Sequence, residues 1–531
     1  MAIVAPVLLA GAVLAGLWSA GRSANPGAPG FRLDDAWIHQ VYGRGLLHHG
    51  YLAYNDGVPT TGCTSPLWAV CLTPVHAVAG GDPDTLVAAV MALGVLLQLA
   101  AAAAAGILAL RLTDDVRAGV AAGALVAMAT PWATAAYSGM EVQLTGLLLL
   151  LGMGAAVSGR WTPAGVWLAL AALARPEAAV VTVVTAAMVP WISGGDRSAR
   201  EAVLRLLLPS VIGGALVAAH HLWASGSPLP ATFQAKSAAS LTALPARTAA
   251  AFRDILPAVP PFAGGIAWLA LGGLFAGRLA ARSPAGGDAR RALPGRVALR
   301  SALPAIAGLA FLLANLFLID PVDPDAFYHQ RYLLPAVPLL LTGLAVGAHG
   351  WGTRLRGRAA AAPLAALVLL AGIGAARTVT PESRHLHNDV RNINEVQRRI
   401  GTWLGENLPA GTRIASSDAG AVRYFSELPV VDVLGLNTPE MLDPTEEFLR
   451  AHPVAAVVLL PAWFRGLDET ATMAVYGAQT EDYTVTGNPN MRTQIVLAAR
   501  PGAAADGPVR VRFVGFRPFA VDLIETPGAS P

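Results

Sequence analysis

The amino-acid sequence predicts an α-helical polytopic membrane protein of about 11 transmembrane helices, closed by a C-terminal α/β domain outside the membrane. Three observations predict it. Of 531 residues, 54% are hydrophobic and 13% charged, far from the balance of soluble domains. Eleven apolar runs are long enough, or nearly so, for the roughly 20 helical residues that a bilayer requires. After residue 376 these runs stop, and about 155 residues of mixed character remain, a usual size for one folding unit. Residues 1–376 are accordingly read as the transmembrane domain, with an outer loop at 21–84, and residues 377–531 as the extracytoplasmic domain.

The apolar runs lie near 3–20, 85–110, 118–137, 142–158, 162–174, 178–193, 206–224, 259–277, 302–319, 332–348 and 360–376. The first has no basic leader, and later runs share its character, so it reads as a retained helix and not a cleaved signal peptide. A further stretch, Pro66 to Ala79, is short for a span and ends in Gly80, Gly81, Asp82, Pro83 and Asp84. The positive-inside rule decides its placement. If it does not cross, one face collects Arg111, Arg117, Arg160, Arg197, Arg200 and Arg205. The same face then collects the arginines between 278 and 300, together with Arg354, Arg356 and Arg358. The opposite face receives the acidic first loop and the tips at Ser138–Glu141, Arg175–Glu177, Lys236 and Asp323. Pro66 to Ala79 is therefore read as an amphipathic or re-entrant helix on the outer face.

The last region reads as α/β. A helical segment from Asn388 to Leu408 precedes a strand around Ile414, a turn at Asp418 to Gly420, and strands at Val430–Leu434 and Ala455–Leu460. Tyr483–Val485 and Ile495–Ala498 read as a closing pair, and Val509–Phe513 as one further strand. No internal repeat is visible. The formal charge of +3 and the absence of basic runs with interleaved aromatics set nucleic-acid binding aside. Two cysteines, Cys63 and Cys71, are too few for a disulfide framework and read as free thiols.

The segment from Phe31 to Trp68, FRLDDAWIHQVYGRGLLHHGYLAYNDGVPTTGCTSPLW, carries the most chemistry. Asp34 and Asp35 follow directly on a predicted transmembrane helix, among Trp37, His39, Tyr42, His48, His49, Tyr51, Tyr54 and Asn55. Transfer of a sugar to a hydroxyl needs a base for the hydroxyl proton, and a carboxylate at the membrane surface can serve. Asp is also a favoured helix N-cap, so capping is the competing reading of Asp34. The two roles are compatible.

Further segments recur near predicted outer helix ends: SGMEVQLTGLLLLLG from Ser138, ARPEA from Ala174, HLWASGSPLPATFQAKS from His221, FYHQRYLLPAVPLL from Phe327, and SSDAGAVRYFSELPVVDVLGLNTPEM from Ser416. With the acidic pair, and in this order, they resemble the GT-C superfamily of membrane glycosyltransferases. They are similar to the branch that includes mycobacterial terminal arabinofuranosyltransferases. The resemblance covers most of the chain. It implies inverting transfer of a glycosyl unit from a polyprenyl-phosphate-linked sugar to an extracytoplasmic glycan, glycolipid or protein. Asp34 or Asp35 is then the base, and Glu141, Arg175, Glu177, Lys236, His329 and Arg331 hold the donor phosphate or sugar.

Each of those residues has a plainer reading. Glu141 sits where acidic residues suit a helix N-terminus, and Arg175 and Glu177 flank Pro176 and can pair with each other. Lys236 is the only lysine in an arginine-rich chain, by local requirement or by chance. Asp320, Asp323, Asp325, His329 and Arg331 share one short loop, read as solvated acids in preference to a divalent-cation site. No cofactor is expected, and no metal ligand is assigned. The expected setting is the plasma (inner) membrane with the active site outside. Two other functions compete: a transporter or flippase of lipid-linked saccharide, and a glycan polymerase or ligase using a lipid-diphosphate donor. Transporters commonly hold ionisable groups at mid-membrane between repeated halves, whereas this chain gathers them at one face.

Overall fold

A computed structural model of the chain describes residues 3–22, 27–193, 196–230, 294–318, 330–465, 470–485, 489–515 and 518–525. Its first part is helical: α1 (Val4–Arg22), α2 (Asp34–His49), α3 (Pro66–Ala79), α4 (Pro83–Thr113), α5 (Val116–Met128) and α6 (Thr130–Thr134). These are followed by α7 (Val142–Ala156), α8 (Trp161–Ala174), α9 (Ala179–Ser193), α10 (Asp196–Ser225), α11 (Pro294–Leu318), α12 (Val337–Gly352) and α13 (Ala362–Ile393). Ten of the eleven apolar runs coincide with these helices, and the run at 259–277 lies outside the described residues.

Eleven full-length spans do not follow. Among the described residues, five helical segments are long and apolar enough to cross a membrane: Pro83–Thr113, Pro176–Ser193, Ser198–Ser225, Leu334–Gly352 and Gly357–Asn407. A sixth results if Val116–Met128 and Thr130–Tyr137, bent by 63°, form one span. Pro131, at the start of the second piece, accounts for that break. The apolar parts of α1, α7, α8 and α11 are shorter than about 20 residues. Local chemistry stops them: α7 ends before Gly159 in the left-handed region, and α8 ends at extended Arg175, which precedes Pro176. α3 is 14 residues long and buries Trp68, Leu72 and His76 against its neighbours while leaving Val70 and Val78 exposed.

The second part continues from α13 through a π-helical turn, Asn394–Arg398, into α14 (Arg399–Asn407), α15 (Ala421–Ser426) and α16 (Glu446–Ala451). A five-stranded sheet has the order β2-β1-β3-β6-β5. It comprises β1 (Ile414–Ser416), β2 (Val430–Asp432), β3 (Ala456–Leu459), β5 (Thr472–Gln479) and β6 (Thr493–Ala499). β1 runs parallel to β2 and β3, while β6 is antiparallel to both β3 and β5. A smaller sheet joins β4 (Phe464–Arg465), β7 (Val509–Gly515) and β8 (Phe519–Leu523). The expected closing pair is corrected here. β6 pairs with Thr472–Gln479, whereas Tyr483 and Val485 are buried outside any strand.

The two parts meet across the segment between α1 and α4. Trp37 is fully buried, with Phe31, Tyr424 and Phe425 at ring distances of 5.0, 4.8 and 4.6 Å. Asn55 mimics a strand at the β2 edge: its amide donates to the Val430 carbonyl and its oxygen accepts the Val430 N–H, both at 2.9 Å. That pairing covers backbone groups an edge strand would leave open. Arg32 donates to Asp389 at 2.7 Å with both side chains buried.

Candidate active site

The site begins with the opening of α2. Leu33 is its N-cap, and neither aspartate caps it through a side chain. Both acids nonetheless lie in the first turn, where the helix dipole favours negative charge. Successive helical positions differ by about 100° around the axis, so the two carboxylates leave in different directions.

Asp34 turns into the seam between the two parts. Its carboxylate accepts the N–H groups of Gly420 and Ala421, both at 2.7 Å. It therefore caps α15, 386 residues further along the chain, instead of its own helix. Gly420 is required there: a Cβ would collide with the Asp34 main-chain carbonyl and lie 2.6 Å from its Oδ2. Burial, reinforced by the neighbouring Asp418 charge, pushes the Asp34 carboxyl well above the ordinary carboxylate range. Burial raises Asp418 as well, against the Gln397 amide that donates to it at 2.7 Å. This buried pair favours a shared proton.

Asp35 faces a half-open cleft. It pairs with Nη2 of Arg331, and its side chain is 42% exposed against 7% for Arg331. Across the cleft, Glu141 accepts from Arg175 Nη1 at 2.6 Å and meets His39 Nε2 at 3.2 Å. Burial pushes the Glu141 carboxyl up, but Arg175 and the His39 hydrogen bond outweigh it and hold the group at about 2. Glu177 lies 3.7 Å from Arg175 Nε, a nitrogen that is buried and makes no hydrogen bond among the described residues. Both guanidiniums lie over the Tyr332 ring, at 4.7 Å for Arg175 and 4.9 Å for Arg331. The phenol of Tyr332 accepts from Arg331 at 3.0 Å.

Helix ends bring these residues together. Asp35 and His39 are one turn apart on α2, Glu141 precedes α7, Arg175 and Glu177 join α8 to α9, and Arg331 precedes α12. Gly139, with φ of 75°, allows the turn before Glu141 and leaves no room for a Cβ against Phe31, 2.6 Å away. The second part closes one wall through Leu436 and Asn437. Asn437 accepts from the Tyr42 hydroxyl at 2.7 Å and donates to Asp432 at 2.9 Å.

Of the eight residues singled out in the sequence, five line the cleft: Asp35, Glu141, Arg175, Glu177 and Arg331. Asp34 points away from it. Lys236 and His329 lie outside the described residues, as does the loop of Asp320, Asp323 and Asp325. Among the described residues no group of three or more His, Cys, Asp or Glu side chains is arranged to hold a metal. His39 was named beside the aspartates without a role in the site, and Tyr332 and Asn437 were missed. His39 stands four residues after Asp35, one helical turn on, and Tyr332 follows Arg331, so both carried a spacing signal. Asn437 carried none, because its partner Tyr42 is 395 residues away. Cys63 and Cys71 are free thiols.

The fold has solved counterparts. ArnT from Cupriavidus metallidurans, in the crystal structure with undecaprenyl phosphate, superposes with a TM-score of 0.51 at 14% identity. That alignment covers 92% of this chain and 97% of that one. The Archaeoglobus fulgidus oligosaccharyltransferase, in a complex with Zn and sulfate, gives a TM-score of 0.49 at 13% identity over 85% of this chain and 67% of that one. The likeness is one of architecture: the helical body and C-terminal sheet region share the fold of ArnT. A family model described as a domain of unknown function, DUF8728, matches residues 388–506. No curated protein matches the sequence significantly.

Proposed function

We propose that this protein transfers a glycosyl unit from a polyprenyl-phosphate-linked sugar to an extracytoplasmic acceptor, with inversion and with Asp35 as the general base. One observation carries the reading: the exposed Asp35 carboxylate shares a cleft at the helix ends with two guanidiniums, one holding an unsatisfied buried N–H. An unpaired buried donor costs about 1–3 kcal/mol, and an anionic phosphate oxygen would recover that cost. ArnT, which shares the fold, was crystallised with undecaprenyl phosphate. The motif resemblance to the terminal arabinofuranosyltransferases supports a pentosyl or hexosyl donor at the outer face of the plasma membrane.

The described groups suit the chemistry. Phosphate entering the cleft competes with Asp35 for Arg331, so donor binding frees the carboxylate that must accept a proton. The acceptor hydroxyl then attacks the anomeric carbon, its proton passes to Asp35, and the bond from the anomeric carbon to the phosphate oxygen breaks. Charge growing on the leaving phosphate is stabilised by Arg331 and Arg175, positioned beforehand by Tyr332 and Glu141. The cleft counts three carboxylates, Asp35, Glu141 and Glu177, against two arginines. A phosphate therefore calls for further positive charge, for which Lys236 is the candidate. No step requires a metal ion or cofactor from these residues.

The test is transfer by the full-length protein in proteoliposomes supplied with radiolabelled polyprenyl-phosphate sugars and a panel of acceptors. Asp35→Asn should lower turnover by about 10² to 10⁴, the usual worth of a general base. Asp34→Asn should keep much of its turnover per folded molecule. Undiminished transfer by Asp35→Asn would sink the assignment. Protein-dependent movement of the lipid-linked saccharide across the bilayer without transfer would favour the flippase reading.

A further inference from the structure

A second cleft shares no lining residue with the first. It is lined by Ala28, Asn394, Arg398, Arg399, Thr402, Trp403, Glu406 and Tyr476 and encloses about 810 Å³, partly open to solvent. At its centre Trp403 of α14 and Tyr476 of β5 stack in parallel, with rings 4.6 Å apart and 2° between their planes. Both rings are only half-buried. Arg399 Nε donates to the Tyr476 hydroxyl at 3.1 Å, which fixes one edge of the stack.

The polar lining selects among ligands. Arg398 is committed to the Pro29 carbonyl at 3.2 Å and to Asp84 at 3.4 Å, and lies over the Phe425 ring. Arg399 is committed to Tyr476. Glu406 and Thr402 are exposed, and neither side chain makes a hydrogen bond among the described residues. With Asp84 on Arg398 and Glu406 in the lining, two carboxylates offset the two guanidiniums, which disfavours a strongly anionic ligand. An aromatic surface ringed by a carboxylate, a hydroxyl and fixed guanidinium N–H groups suits a neutral polyol. Sugar C–H faces lie against the ring, and sugar hydroxyls donate to Glu406 and accept from the arginines.

We infer that this cleft is a binding subsite for a neutral oligosaccharide, and that the acceptor of the transfer proposed above is a glycan several units long. The second clause rests on that proposed function; the first does not. Geometry links the two sites. Ala28 belongs to the loop that leads into α2, and Asp35 follows it by seven residues. A fully extended chain of that length spans at most about 25 Å. The two clefts share no lining residue, so a ligand seated on Trp403 and reaching Asp35 has to bridge them and is longer than a single sugar.

The experiment measures binding of neutral arabinose, galactose, mannose and glucose oligosaccharides, from di- to hexasaccharides, to the full-length protein in nanodiscs. Saturation-transfer NMR gives the readout, with a mixed-sequence peptide as the competing ligand class. At least one glycan series should bind, more tightly with length. Trp403→Ala should weaken it by roughly tenfold, Glu406→Gln should weaken it less, and Tyr476→Phe, which keeps the ring, should bind nearly as well as the parent. Asp35→Asn should bind the glycan normally while losing transfer. Trp403→Ala should raise the KM for long acceptors with little change in kcat. Binding of no oligosaccharide, binding of the peptide alone, or equal affinity in Trp403→Ala would each overturn the subsite. Loss of transfer in Asp35→Asn alongside intact glycan binding separates the two proposals. An Asp35→Asn variant that transfers normally removes the base and leaves the subsite standing.

Discussion

Adjacent aspartates open onto two regions built on opposite electrostatic plans. Among the described residues, the groups that hold Asp34 in the seam are backbone N–H groups, with Gln397 and Asp418 beside it and no paired cation. The cleft around Asp35 interleaves carboxylates with guanidiniums, Asp35 with Arg331 and Glu141 with Arg175. A neutral, proton-sharing seam resists water and fastens two parts of the chain. In the proposed function, the charged, half-open cleft supplies groups that exchange partners when an anion arrives. One residue of helical rotation separates the two, which is why a paired-acid motif read as a unit conceals a division of labour.

Turnover gives the widest separation. Asp35→Asn is expected to lose about 10² or more, while Asp34→Asn shows its effect in stability. Among stability effects, the largest is expected in the cleft. Arg175→Met leaves Glu141 buried without its cation, and breaking a buried pair from one side costs about 3–5 kcal/mol. Adding Glu141→Gln should return most of that loss, since replacing both partners removes the stranded charge. Chemical denaturation of the two variants checks this. A double variant no more stable than Arg175→Met would show that the pair holds the cleft by something other than charge.

The long apolar runs were legible because twenty residues of uniform hydropathy need no tertiary information, and ten of them fall on helices. Strands β1, β2, β3 and β6 were legible for a similar reason, being short β-branched or aliphatic runs. β5 was not, because TMAVYGAQ mixes Gly477 and Gln479 with half-buried positions, and its register comes from β6. The cleft was largely legible because Asp35, Glu141, Arg175, Glu177 and Arg331 mark helix ends on one face. Asp34 and Asn437 were not, because their partners Gly420 and Tyr42 lie nearly 400 residues away in sequence. Side-chain direction at a helix start depends on what packs there, and no local pattern encodes it.

The two regions should respond to pH with opposite signs. Asp34 has its carboxyl raised in the fold, so its neutral form is the preferred one. Its contribution is full below the unfolded value of 3.8 and drains as pH rises through the raised folded value. Glu141 is held at about 2 against 4.5, so its contribution is full above about 4.5 and is lost as pH falls towards 2. Mild acid therefore favours both. Asp34→Asn should flatten the decline in stability between mild acid and alkaline pH. It should also lose about 1–3 kcal/mol in mild acid, because an amide oxygen accepts only one side of the Gly420 and Ala421 pair. An unchanged slope on the alkaline side would place the sensitivity in another buried carboxyl, Asp432, which burial also raises.

The smallest effect is expected at the rim of the seam, where Arg44 reaches the exposed Glu427 at 3.1 Å and lies 4.6 Å above the Tyr424 ring. Water screens that ion pair, and exposed pairs are worth about 0.2–1 kcal/mol. Arg44→Met keeps the stem against Tyr424 and removes the charge, so its cost should stay within that range and shrink in high salt. A loss equal to that of Asp34→Asn would mean that the seam is held from its edge. The contrast between a buried neutral lock and a charged cleft would then be drawn at the wrong residue.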